Sequence, residues 1–207
     1  MYEEYKEYVK QYLIKMGGDA APNPSQPFRS RFQHTLRVCK WIERLVEGEE
    51  GLDLEALRIA VIFHDVGYER EDKHSHAERG ALIFEEFAKA KGLPEPLTEK
   101  VKFLIAKQSK KTPYEDTYPI ELAYLRDADL LDEEGAMGIV WDCLAAGYLK
   151  AESYEDALRH IKKYSASEGH LDSTQMITPK AKAIWNKKLE LLNTFVKALE
   201  TDLEMEY

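Results

Sequence analysis

The sequence predicts an all-α protein. Two observations carry that expectation. Apolar residues recur at spacings of three and four along most of the chain, the period of a helix face. The stretches between them carry Gly, Pro and capping residues of the kind that start and stop helices, and no pair of alternating stretches reads as strands.

Residues 2 to 16 form the first helical pattern, and Gly17-Gly18 supply its C-terminal cap. "DAAPNPSQPF" holds three of the eight prolines and is a loop. Arg31 to Glu47 is helical, with His34, Val38, Trp41 and Leu45 on one stripe. "GEEGLD" breaks it, and Asp53 caps the next helix, whose face carries Leu54, Leu57, Ala60 or Val61, and His64 before Gly67 ends it. Residues 75 to 91 follow, with Ala77, Ala81, Phe84 and Ala88 aligned and Gly92-Leu93-Pro94 as the stop.

Residues 97 to 109 make another helix, and "SKKTPYEDTYP" is a polar loop. Two helices, 119 to 132 and 135 to 149, break near Gly135, and a further one covers 153 to 163. The last runs from 178 to 203, with Thr178 as cap, Pro179 in the first turn, and Ile184, Leu191, Phe195 and Leu199 recurring. No shift in composition marks an internal boundary, so residues 1 to 207 are expected to form a single domain.

Hydrophobic residues make up 44% of the chain and charged residues 32%, a globular balance. Lys plus Arg is 29 against 38 Asp plus Glu, a net charge of -9. That surface disfavours a nucleic acid backbone, which needs a basic face. It leaves room for a small anionic substrate in a local cationic pocket. The two cysteines, Cys39 and Cys143, form no CxxC pattern and read as reduced thiols. "MYEEYKEYVK" has no apolar leader region, and no apolar run has membrane length. A cytoplasmic protein is expected, with no membrane partner, as a monomer or homodimer.

"RIAVIFHDVGYERE", residues 58 to 71, holds the chemistry. An apolar run leads directly into His64-Asp65, and burying either group without a partner is costly. His34 lies on the inner stripe of the preceding helix. Asp127 and Asp129 interrupt the apolar pattern of "LAYLRDADLLDEEGAMGI". Two imidazoles and carboxylates converging from separate helices suit one divalent ion such as Mn, Mg, Co, Ni or Fe. The absence of thiolate argues against structural zinc.

At these residues the chain resembles the HD-domain superfamily of metal-dependent phosphohydrolases, whose signature is H…HD…D on a helical bundle. The resemblance covers residues 28 to 150, and "DADLLDEEGAMGI" is similar to the matching segment of a bacterial subgroup of small, stand-alone HD hydrolases. It implies an HD-type bundle with additional C-terminal helices, 151 to 207, packed on it. It implies His34, His64, Asp65 and Asp129 as metal ligands, Asp129 being favoured over Asp127. Arg31, three residues before His34, also recurs in the superfamily.

Two departures stand out. Leu130 follows "DAD" where the subgroup commonly has Arg. Dinuclear members carry further histidines. "HAERG", His76 to Gly80, resembles the first such element, but "KQSKK", with Lys107 and Gln108, replaces the adjacent pair. One metal is therefore expected.

The resemblance implies hydrolysis of a small phosphorylated metabolite, most readily a nucleotide, by a metal-activated water. Asp65 would orient or deprotonate that water. Arg31 and Lys107 would act on the developing charge, and Arg31, Lys73, His74 and His76 would bind the substrate, with Arg37 and Lys110 as further cations. The alternatives are a catalytically weak nucleotide-sensing HD protein and a di-iron oxygenase on the same fold. The second needs histidines that Gln108 displaces.

Overall fold

A computed structural model of the chain describes residues 2–19, 30–68, 75–109, 114–166 and 176–204. Among them are nine helices and no strand, as the apolar periodicity predicts. In chain order they are α1 (Glu3–Met16), α2 (Arg31–Val46), α3 (Leu54–Phe63), α4 (His76–Lys91), α5 (Glu95–Lys107), α6 (Ile120–Glu133), α7 (Ala136–Tyr148), α8 (Tyr154–Lys163) and α9 (Pro179–Glu204). Among the described residues no helix is long and apolar enough to cross a membrane.

The chain divides into two compact units. The first comprises the described residues up to Asp129, the second those from Leu130 onward. In the first, α3 is the central element. It packs against α1, α2, α4 and α5. Its sequence "LEALRIAVIF" leaves Ala56, Leu57 and all of Ile59 to Phe63 buried, as a helix apolar on every side must be. Asp53 starts it, accepting the Ala56 N–H at 3.0 Å.

Phe63 ends α3 inside an aromatic cluster. Its ring lies 5.1 Å from Phe84, 5.1 Å from Phe87 and 5.9 Å from Tyr8. Burying one such ring contributes roughly 1.5–3 kcal/mol, so the last residue before His64 is firmly anchored. Regular helix stops here, earlier than the expected limit at Gly67. The chain tightens into three-residue turns, with Val66 N–H donating to Phe63 O at 3.1 Å and Tyr68 N–H to Asp65 O at 3.2 Å.

α5 begins at Glu95, two residues before the expected start. Pro96 sits in its first turn, where a missing N–H costs nothing. In the second unit α8 packs on α7 and α9, and Ile161, Leu192 and Val196 form an apolar cluster. The inward stripe of α9 is Ala181, Trp185, Leu192 and Val196, while Leu191 is 47% exposed. The expected stripe through Ile184 and Leu191 is thus off by about one residue. The observed one buries the Trp185 indole, the larger apolar surface.

Candidate metal centre

Everything at the centre belongs to the first unit. The N-terminus of α2 is fastened twice. The Ser30 hydroxyl accepts the Gln33 N–H at 3.2 Å, and the Asp19 carboxylate accepts the Phe32 N–H at 2.9 Å and the Ser30 hydroxyl at 2.8 Å. This cap fixes the turn that carries Arg31 and His34, which share one face at i,i+3 spacing.

His34 and His64 are 1% and 0% exposed, and Asp65 is 4% exposed. One ligand atom from each lies within 4.8 Å of the other two. His34 Nε2 and His64 Nε2 stand 3.4 Å apart. Asp65 approaches both imidazoles, Oδ2 lying 3.6 Å from His34 Nε2 and Oδ1 3.6 Å from His64 Nε2. Asp129 Oδ1 lies 3.0 Å from His34 Nε2 and 3.8 Å from His64 Nε2. Asp127 is fully buried on the same helix. It is two residues away from Asp129 and so projects roughly 200° around the helix from it.

His64 Nδ1 lies 2.7 Å from Val61 O, an acceptor only, so Nδ1 carries the proton and donates it. The Nε2 lone pair therefore faces His34 and the carboxylates. The buried His34, His64 and Asp65 cluster could hold a divalent ion, with Asp129 beside both imidazoles and the His64 tautomer fixed from behind by a backbone carbonyl. The residues present fit the group that the resemblance implies.

Around this point runs a second ring of contacts. Arg31 Nη1 donates to Asp65 Oδ2 at 3.2 Å, and its guanidinium carbon sits 3.8 Å from the centroid of the Tyr68 ring. His76 also meets the Tyr68 ring, stacked at 4.2 Å with 17° between the planes. His76 Nε2 is 3.8 Å from Asp65 Oδ1. Gln108 is 3% exposed, and its Nε2 lies 3.2 Å from His64 O and 3.0 Å from His76 Nε2.

Burial works to raise the Asp65 carboxyl. Interaction with the His64 imidazole, the Arg31 guanidinium and the His34 and His76 imidazoles together outweighs it and holds Asp65 well below the ordinary carboxylate range. For His76 burial dominates, so the imidazole is held below its usual value even with Asp65 beside it.

Arg31, His34, His64, Asp65, His76 and Asp129 are thus brought together. Lys107 is tied by its carbonyl, which accepts from Arg126 Nε at 3.1 Å, and no described contact brings its ammonium to the centre. Lys73, His74 and Lys110 lie outside the described residues. Arg37 lines a separate cavity of about 540 Å³, with Leu36, Lys40 and Ile62, and no candidate ligand lines it.

Sequence reasoning missed Tyr68 and Asp19. "HDVGY" places Tyr68 beside the motif, a weak signal for a stacking partner. Asp19 sits 12 residues before Arg31 with no local pattern to mark it.

Comparison with known proteins agrees with this geometry. The family model of the HD domain matches residues 31–134, half of the chain. Among solved structures, an HD-superfamily hydrolase from Bacillus thuringiensis superposes with a TM-score of 0.70 at 21% identity, over 99% of this chain and 97% of that one. Bacillus subtilis YpgQ, solved in complex with ADP, gives 0.66 at 20% identity over 99% and 98%. The Lin1889 protein of Listeria innocua gives 0.61 at 22% identity over 96% and 99%. These likenesses speak to the fold. No curated protein matches the sequence. The matched segment opens at Arg31 and closes just beyond Asp129, so it contains every residue that converges on the buried point: the chain belongs to the HD-domain superfamily.

Proposed function

We propose that the chain is a metal-dependent phosphohydrolase acting on a small phosphorylated metabolite, most readily a nucleotide. The observation that carries this reading is the buried cluster of His34 Nε2, His64 Nε2 and Asp65, with Asp129 beside both imidazoles and the Arg31 guanidinium bound to the Asp65 carboxylate. His34, His64, Asp65 and Asp129 would hold one divalent ion. Such an ion lowers the pKa of a bound water and polarises a phosphoryl oxygen.

The protein's own groups supply the rest. Asp65, held ionised and 3.6 Å from both imidazole nitrogens, orients the attacking water. Arg31 is held by Asp65 on one side and by the Tyr68 ring on the other, so its planar donors are oriented before a substrate arrives. It neutralises charge on the transferred phosphoryl group. His76, at the partly exposed edge, contacts the substrate. Nucleotide as the class draws support from YpgQ, a structural relative that binds ADP. The net charge of -9 favours a small molecule over a polymer.

The test joins metal analysis of the purified protein to phosphate release from a panel of nucleotides with Mn, Mg, Co or Ni added. The expected result is bound metal and turnover that a chelator removes, both absent in His64→Ala and Asp65→Ala. Full activity in either variant overturns the site. Bound metal with no release from any nucleotide overturns the substrate class and leaves the centre standing.

A further inference from the structure

The Gln108 side chain sits where it decides how many cations the centre accepts. Its Nε2 lies within hydrogen-bond distance of two atoms, His64 O at 3.2 Å and His76 Nε2 at 3.0 Å. The His64 carbonyl is an acceptor and nothing else, so it fixes the amide with its nitrogen inward. A reversed amide would set two oxygens against each other. With the nitrogen so placed, an N–H of Gln108 points at His76 Nε2, which must be the acceptor. His76 therefore carries its proton on Nδ1.

His76 Nε2 is also the imidazole nitrogen 3.8 Å from Asp65 Oδ1. A second cation held between His76 and Asp65 would need that lone pair. The amide that occupies it has nothing to give in exchange, because its nitrogen has no available lone pair and is a donor only. Gln108 is buried and anchored at the end of α5, a helix that packs on both α3 and α4. A cation cannot displace it without leaving the His64 carbonyl unpaired in a buried site, which is costly.

We propose that Gln108 restricts the centre to one cation by holding the His76 Nε2 lone pair in a hydrogen bond. The inference rests on the metal centre proposed above. It assigns Gln108 as a selectivity residue and keeps His76 out of the ligand set.

The experiment counts Mn per chain after equilibrium dialysis, in the wild type and in Gln108→His and Gln108→Glu. Each variant replaces the amide donor with a group able to ligate. The expected counts are one for the wild type and two for both variants at saturating Mn, the second site filling at higher concentration. Two Mn in the wild type, or one in both variants, overturns the inference. No Mn in the wild type overturns the metal centre itself and the inference with it, an outcome distinct from two.

Should neither variant fold, the wild type alone decides through imidazole 15N shifts recorded during a zinc titration. His34 and His64 Nε2 should move on coordination, while His76 Nε2 keeps the shift of an unprotonated, hydrogen-bonded nitrogen. A coordination shift at His76 overturns the inference.

Discussion

Gly67 passes so close to His76 that a Cβ built on it would fall 2.0 Å from the His76 carbonyl oxygen, and 2.6 Å from the backbone nitrogen of Gly80. Both contacts are backbone, so neither can swing aside. This approach brings the turn carrying His64 and Asp65 against the first turn of α4, and Arg79 Nη1 closes it by donating to Gly67 O at 2.7 Å. Gly67→Ala should therefore cost about 3 kcal/mol, the upper range for overpacking, and lower metal affinity with it. Gly80→Ala is tight only against the Ile105 side chain at 3.2 Å, with Gly67 N and Phe63 O at an ordinary 3.5 Å, and should cost about 1 kcal/mol. Urea denaturation of both checks the order. Equal, small losses would show that the two segments separate freely.

The legible part of this centre was its side-chain chemistry. His34 and His64 stand out in sequence because each interrupts an apolar stripe, and Asp129 because, with Asp127, it interrupts the apolar pattern of "LAYLRDADLL" on a third helix. The helices were legible for the same reason, through their 3.6-residue period. Less legible was what the backbone does after Phe63. A continuous helix through His64 satisfies the pattern equally well, and only the anchored Phe63 ring and the Gly67 contact decide for the turn. Gln108 was visible as a replacement for an expected histidine, yet its hydrogen bonds cross 32 and 44 residues of sequence and follow only from how α5 lies on α3 and α4. Asp19 and Tyr68 act through tertiary contacts that no local spacing encodes.

The two aspartates of α6 should separate cleanly. Asp129→Asn takes a carboxylate charge from the oxygen 3.0 Å from His34 Nε2 and should abolish stoichiometric metal binding. Asp127→Asn changes a buried group about 200° around the same helix and should leave the metal count unchanged. Metal analysis of both variants, with circular dichroism to confirm folding, makes the comparison. Metal lost in Asp127→Asn and kept in Asp129→Asn would reverse the assignment.

The cap of α3 gives a pH signature outside the centre. Burial works to raise the Asp53 carboxyl. The Ala56 N–H and the Lys100 ammonium, 3.0 Å from Oδ2, outweigh it, so the folded-state pKa lies below the ordinary 3.8. A depressed carboxyl contributes stability that is fully present above its unfolded pKa of about 3.9 and lost as pH falls through the folded value. Asp53→Ala should cost about 1 kcal/mol at pH 7, with the gap to wild type narrowing below about pH 4. Thermal denaturation of the metal-free protein from pH 7 to pH 3 measures it. A gap that widens in acid would mean that the protonated group, not the carboxylate, is the better cap.

Tyr68 supplies the last test, because its ring packs against the Arg31 guanidinium and is not itself a candidate ligand. Its ring lies 3.8 Å beneath the Arg31 guanidinium on one side and 4.2 Å from His76 on the other. A partly buried cation–π contact contributes roughly 0.5–2 kcal/mol, so losing it should release Arg31 from its oriented position. Tyr68→Leu should lower kcat/KM about tenfold, the equivalent of 1.4 kcal/mol, with the metal count unchanged. Tyr68→Phe keeps the face of the ring and should retain most of the rate. Arg31→Ala should fall further, by about 10²–10³ as for the loss of one charge-stabilising donor. Arg31→Lys should recover little of it, since a point charge does not reproduce the planar fork. The double variant Tyr68→Leu with Arg31→Ala should be no slower than Arg31→Ala alone, because the ring acts through the guanidinium. Additive losses in the double variant would mean that Tyr68 meets the substrate directly.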